Sequence, residues 1–238
     1  MSNHFGYTGR GQEPIEVTAS FMQATLNARA INAIVAPLWD GPQVRTFRIS
    51  LAVGVKPEDV ERLGGALSMA AGVSDCRICR SDGHLVLEVA KPAEERRVLM
   101  PQQLLRYKPN TPWKIPIGVN TSGRIVWFDL LDDRTCHAVL GGTTGSGKSN
   151  LLHWILFRVL AQNPQHRLQL LLMDPKGYEL SPFKRVRHLI HPPEHRPGEI
   201  VKMLLWLEDL MAQRGRSGER KPRILVVIDE VRELAQRE

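Results

Sequence analysis

Gly142-Thr143-Thr144-Gly145-Ser146-Gly147-Lys148-Ser149 meets every fixed position of the phosphate-cradling pattern GxxxxGK[ST]. Small residues let successive backbone N–H groups turn inward around a β-phosphate, while the Lys148 ammonium reaches the β- and γ-phosphates and the Ser149 hydroxyl ligates Mg²⁺. Together with Asn150, these residues are the expected nucleotide-binding segment. The pattern requires a strand before it and a helix after it. Cys136-His137-Ala138-Val139-Leu140 is short and apolar, which predicts a strand buried on both faces. Leu151, Leu152, Ile155, Leu156, Val159 and Leu160 recur at helical spacing and predict a helix from about Gly147 to Gln162, ending near Asn163-Pro164. Trp154 and Phe157 widen its apolar stripe, as expected of a helix packed between a sheet and a second layer.

Downstream, Arg223-Ile224-Leu225-Val226-Val227-Ile228 reads as an apolar strand that delivers Asp229-Glu230 at its C-terminal end. Paired with a phosphate loop, such a strand supplies the acidic half of a hydrolytic site. Asp229 holds Mg²⁺ through a water, and Glu230 polarises the attacking water as general base. The expected site is therefore Lys148 and Glu230 for catalysis, residues 142–150 for ATP, and Ser149 with Asp229 for Mg²⁺.

The chain has 238 residues, 42% of them hydrophobic and 24% charged, enough to bury more than one core. A net charge of +7 favours an acidic partner, of which nucleic acid is the usual one. No apolar run approaches the roughly 18 residues needed to span a bilayer, and the start Met1-Ser2-Asn3-His4-Phe5-Gly6 lacks the charged and apolar regions of a signal peptide. The expected location is the cytoplasm. Cys76 and Cys79 have C-x-x-C spacing but no second pair or histidines to complete a zinc site, and on a strand they point to opposite faces. They are read as packing residues.

Before the phosphate loop the pattern is that of a separate small α+β unit. It comprises a tail over residues 1–17, a helix from about Thr18 to Asn32, and strands at Ala33 to Leu38 and Val44 to Leu51. A helix opened by Pro57-Glu58-Asp59 and running to about Ala71 follows, with acidic residues suited to its N-terminus. Asp82-Gly83 then joins strands Val73 to Arg80 and His84 to Ala90 as a hairpin. Closely spaced prolines from Pro92 to Pro116 place the boundary at about residue 108. In the second unit, residues 109–238, a hairpin around Thr121-Ser122-Gly123 leads into the phosphate-loop strand. Leu168 to Met173 reads as a buried strand, and Ile200, Met203, Leu204, Leu207, Leu210 and Met211 give a helix its apolar face. The alternation predicts a mostly parallel sheet covered on both faces.

Three stretches together resemble the FtsK/SpoIIIE family of DNA translocases: His137 to Asn150; Met173-Asp174-Pro175-Lys176 followed by Glu179-Leu180-Ser181; and Val226-Val227-Ile228-Asp229-Glu230. The amino-terminal unit, with its Gly54-Val55-Lys56 turn, is similar to the small subdomain that precedes the motor in that family. The resemblance implies an α/β fold with a RecA-like P-loop NTPase core, homo-hexameric rings, and ATP-driven movement of double-stranded DNA through a pore. It implies nucleotide and Mg²⁺ roles for Lys148 and Ser149 and the hydrolytic roles for Asp229 and Glu230. For Asp174 and Lys176 it leaves two readings open, a sensor of the γ-phosphate or a helix-breaking turn with a solvated lysine. The basic segment Arg214 to Lys221 is either a phosphate-touching loop or a solvated one. Many members carry an amino-terminal membrane anchor, and the expectation for this chain is a relative without one. The related alternative is a type VII secretion or conjugation ATPase that moves protein or single-stranded DNA.

The chain stops eight residues after Glu230. In RecA-like motors, the strand between the phosphate-loop strand and the acidic-ended one comes later in sequence. The expectation is therefore a fragment, weakly active or inactive alone, with an exposed edge beside the phosphate loop. There, unpaired backbone groups would cost on the order of 1–3 kcal/mol each.

Overall fold

In the computed structural model, residues 12–74, 76–81 and 83–235 are described. The chain divides into two compact units, Met1–Lys108 with Pro116–Trp127, and Pro109–Ile115 with Phe128–Glu238.

The first unit begins with helix α1 (Gln12–Ala28), which starts earlier than the expected Thr18 and ends four residues short of Asn32. It stops because Ile31 N–H donates to Leu26 O and Ala30 adopts φ +55°, turning the chain back toward the sheet. Strands β1 (Ala33–Asp40) and β2 (Val44–Leu51) follow. The helix expected over Pro57 to Ala71 is broken into α2 (Pro57–Glu61) and α3 (Gly64–Ala70). The interruption falls at Arg62-Leu63, immediately before Gly64 and Gly65 open α3, where two glycines weaken helix propensity. β3 (Cys76–Ser81) and β4 (His84–Ala90) complete an antiparallel sheet of order β1-β2-β4-β3. Of the expected turn Asp82-Gly83, Asp82 lies outside the described residues, while Gly83 has the positive φ, +77°, that such a turn needs. One face of the sheet carries the helices: Met22 and Leu26 of α1, Leu67 of α3, and Phe47, Ile49 and Leu87 of the strands are fully buried in one cluster. Cys76 packs against this cluster, and the Cys79 thiol, pushed up by burial and then by Glu88, lies against Val86 O.

A short helix α4 (Pro101–Leu105) precedes the hairpin of β5 (Lys114–Val119) and β6 (Ile125–Asp129). Asn120 Oδ1 accepts from Ser122 N and Arg124 N, which shapes its turn. Gly123 closes the turn at φ +74° against the Trp39 ring, where an added Cβ would come within 2.9 Å of Nε1. The middle of this hairpin groups with the first unit and its ends with the second.

In the second unit, Cys136 to Leu140 does not form the expected strand. These residues are irregular and exposed, with Val139 at 96% of its full accessibility. A strand exists only by pairing, and among the described residues none pairs with this segment. The phosphate-loop helix α5 (Lys148–Gln162) does form and buries Trp154, Ile155, Leu156 and Val159. Phe157 stays half exposed, so the second layer expected over it is absent among the described residues. Asn163 ends α5 by donating to Val159 O and Pro112 O.

Strand β7 (Leu168–Met173), helix α6 (Pro197–Ser217), strand β8 (Arg223–Ile228) and helix α7 (Val231–Ala235) follow in that order. β7 and β8 pair in parallel with Met173 opposite Ile228. On its other edge β7 is met by residues 188–194, through Leu170 N to His188 O and Asp174 N to Glu194 O. Arg223 and Asp229 turn their N–H groups to β7, so Ile224, Val226 and Ile228 turn theirs to the outer edge of β8, which carries no strand among the described residues. Under this narrow sheet α6 seats only one stripe, Ile200, Met203 and Leu207. Leu204 and Met211, expected on its apolar face, are exposed.

Glu194 anchors the C-terminal half of β7. Its carboxylate, nearly buried, accepts from His195 N, Arg196 N and the Arg196 guanidinium, and these donors hold its pKa down at about 2, led by the guanidinium. A carboxyl whose folded pKa lies below its unfolded value stabilises the fold above the unfolded pKa and loses that contribution as pH falls through the folded one. Glu194→Gln is expected to cost about 1–2 kcal/mol near neutrality, a figure reduced because the guanidinium partner is largely in solvent. In urea melts, the gap between parent and variant narrows as pH drops from 4.5 toward 2, and a gap constant over that range would exclude this role.

Candidate nucleotide site

The loop ahead of α5 is curled by its glycines. Gly145 and Gly147 have φ +78° and +93°, and a Cβ at Gly142 would lie 2.6 Å from Ser146 Oγ. Gly147 caps the helix in the left-handed conformation, so Lys148 and Ser149 open the first turn with their N–H groups unclaimed by the helix. The Lys148 ammonium donates to Gly142 O at 2.8 Å and Thr143 O at 3.0 Å, filling the concavity of its own loop. Thr143, Thr144, Gly145 and Ser146 are exposed, as are Gly142 and Asn150, whereas Ser149 is half-buried.

Two parallel strands in register deliver their C-terminal residues side by side. After β7, Asp174 is 2% exposed and its carboxylate is fully committed to its own loop: Oδ1 accepts from Gly177 N and Oδ2 from Leu180 N, both at 2.9 Å. Of the two readings left open for Asp174, the geometry supports the turn. The loop is braced against α5 by His153 Nε2 on Glu179 O at 2.8 Å, with the Phe183 ring edge-on to the imidazole.

After β8, Asp229 N–H donates to Met173 O, and the carboxylate atom Oδ2 is buried with no hydrogen-bond partner. Burial pushes the Asp229 pKa up, and the charges of Asp174, Glu179 and Glu230 push it further. An orphaned oxygen in a field of carboxylates is the environment a divalent cation relieves, so Asp229 fits the role of a Mg²⁺-holding acid. Glu230 follows at φ +49°, an uncommon conformation for a residue with a Cβ. Its carboxylate accepts from Lys176 Nζ at 2.7 Å, which holds its pKa below the usual range, with the Lys148 charge acting in the same direction.

The structure thus brings Asp229 and Glu230, after β8, together with Asp174, Lys176 and Glu179, after β7, and the Lys148 charge is felt at Glu230. Sequence reasoning missed the Lys176–Glu230 pair and the Glu179 field. No sequence signal pairs them, because the register that sets Met173 opposite Ile228 is visible only in the structure. The basic segment is also different from the loop expected: Arg214 to Ser217 belong to α6, and Arg214 donates to Pro222 O at 2.8 Å.

Phosphate loop, parallel strands and acidic strand end define the class, a P-loop protein of mixed α/β architecture. The model of the FtsK/SpoIIIE family matches residues 97–217, and that of the FtsK alpha domain matches residues 6–92. The chain belongs to the FtsK/SpoIIIE family. It is 26% identical to the DNA translocase SftA of Bacillus subtilis (strain 168) over 92% of its own length and 26% of the relative's. To the DNA translocase FtsK of Lactococcus lactis subsp. cremoris (strain MG1363) it is 28% identical over 85% of its length and 27% of the relative's. It therefore spans about a quarter of the length of the curated relatives it matches. Among solved structures, the conjugation coupling protein TcpA of pCW3, in its monomer form with ATPγS, aligns at a TM-score of 0.49 and 19% identity, covering 91% of this chain and 65% of that one. No helix among the described residues is long and apolar enough to cross a membrane.

Proposed function

We propose that this chain carries the nucleotide-binding half of an ATP-driven double-stranded DNA translocase, with a truncated RecA-like core preceded by a small α+β subdomain, acting in the cytoplasm as part of a homo-hexamer. The observation that supports the reading is the orphaned Asp229 oxygen beside Glu230 at the end of β8, in the same chain as a glycine-curled phosphate loop whose Lys148 charge reaches Glu230.

In this reading the N–H groups of residues 142–149 surround the β-phosphate. Lys148 exchanges the carbonyls of Gly142 and Thr143 for β- and γ-phosphate oxygens, a stronger charge-assisted pairing. Ser149 and, through a water, Asp229 would hold Mg²⁺, which neutralises charge on the phosphates when bound. Glu230 accepts the proton of the attacking water as its oxygen bonds to the γ-phosphorus, and ADP leaves with the electron pair of the broken P–O bond. The net charge of +7 supports a polyanionic cargo, and the names of the relatives specify DNA.

The test is ATP turnover by the intact protein with and without linear duplex. We expect turnover to rise with duplex and the protein to sediment as a hexamer in ATP. Equal rates with and without duplex would shift the assignment to a protein-moving secretion ATPase.

A further inference from the structure

We propose that Lys176 is a positioning residue that keeps Glu230 parked: its ammonium occupies carboxylate Oε1, and Glu230 becomes an effective base only after Lys176 moves off. The inference rests on the reading of Glu230 as general base. Three observations on the described residues carry it. The Lys176 Nζ–Glu230 Oε1 distance is 2.7 Å, a direct charge-assisted hydrogen bond. The pair joins two different strand ends, since Lys176 follows β7 and Glu230 follows β8, so it is not an accident of neighbouring residues on one turn. Glu230 sits at φ +49°, a conformation that persists where surroundings hold it in place.

The chemistry runs in one direction. The Oε1 atom that would seat the attacking water is already occupied by the ammonium, so water cannot be oriented on it until Lys176 leaves. Lys176 is carried on a loop whose shape is set independently by Asp174, bonded to Gly177 N and Leu180 N, and by His153 bonded to Glu179 O. Lys176 can therefore release Glu230 by a side-chain rotation, with the loop backbone unchanged. Both lysines are occupied internally in this state, Lys148 by loop carbonyls and Lys176 by the base. Such an arrangement suppresses water attack until the site is assembled.

Steady-state ATP hydrolysis by the intact protein without DNA tests the lock. Lys176→Gln is expected to raise kcat about two- to fivefold, the scale on which a solvent-accessible ion pair biases a two-state population, and to leave KM unchanged. Lys176→Arg, which can still pair with Glu230, brings kcat back toward the parental value. Because the basal rate is already raised, stimulation by linear duplex shrinks in Lys176→Gln. A fluorescent ATP analogue bound with parental affinity shows that the variant site is folded. An unchanged or lower kcat in Lys176→Gln with intact nucleotide binding overturns the lock, as does an equal rise in Lys176→Arg. Failure of the underlying reading is separately visible: Glu230→Gln hydrolysing ATP at the parental rate removes the base itself, whereas an inactive Glu230→Gln beside an unaltered Lys176→Gln removes only the lock.

Discussion

Lys148→Ala is expected to abolish ATP binding or turnover in the intact protein. Its ammonium is the one cation held inside the loop, donating to the carbonyls of Gly142 and Thr143 at 2.8 and 3.0 Å. Those carbonyls are poor company for a triphosphate. Without Lys148, the loop offers phosphate oxygens its amides and the first turn of α5, while the inward-turned carbonyl oxygens stay where the ammonium had screened them. Loss of one such preorganised donor at a site of developing charge costs about 10²–10³ in rate, and here binding of the ground state falls as well. Titration with a fluorescent ATP analogue and a coupled turnover assay check the two parts. Parental affinity in Lys148→Ala would show that the loop is not the nucleotide site. Lys148→Arg keeps charge but not the compact point donor that fits this loop, so it is expected to bind ATP weakly and still fail to turn it over.

The parts of this site that could be read before any coordinates are those whose chemistry is local. Gly145 and Gly147 sit at positive φ and Gly142 has no room for a Cβ, so the spacing of the loop reports backbone geometry directly. The apolar run ending in Asp229-Glu230 announces a strand whose end meets solvent. What could not be read depends on partners distant in sequence. Cys136 to Leu140 has the composition of a buried strand, but composition does not supply the neighbour that a ladder requires. Leu204 and Met211 have the spacing of a buried face, yet the sheet of β7 and β8 is too narrow to cover them. Asp174 and Lys176 looked equivalent as residues after one strand. Only the register of β7 against β8 separates them, turning Asp174 into its own loop and Lys176 across to Glu230. The break between α2 and α3, at Arg62-Leu63, falls just ahead of Gly64-Gly65, but helical periodicity on either side concealed it.

Glu230→Gln is expected to separate binding from chemistry. The amide preserves size and hydrogen-bonding shape while removing the proton-accepting charge, so the phosphate contacts of residues 142–149 are untouched. Positioned general bases contribute typically about 10²–10⁴ in rate, and hydrolysis should fall by that order while ATP affinity stays near parental. The neighbouring groups sharpen the expectation. Lys176 loses its carboxylate partner and Asp229 loses one of the like charges that raise its pKa, so a bound cation at Asp229 meets a less acidic rim but an unchanged coordinating oxygen. The variant should therefore accumulate bound ATP. Protein passed through a desalting column after incubation with ATP and Mg²⁺, then denatured and resolved by anion-exchange chromatography, should release ATP from Glu230→Gln and ADP from the parent. Release of ADP from both at equal rates would take the proton-accepting role away from Glu230 and leave the acidic strand end as a cation site alone.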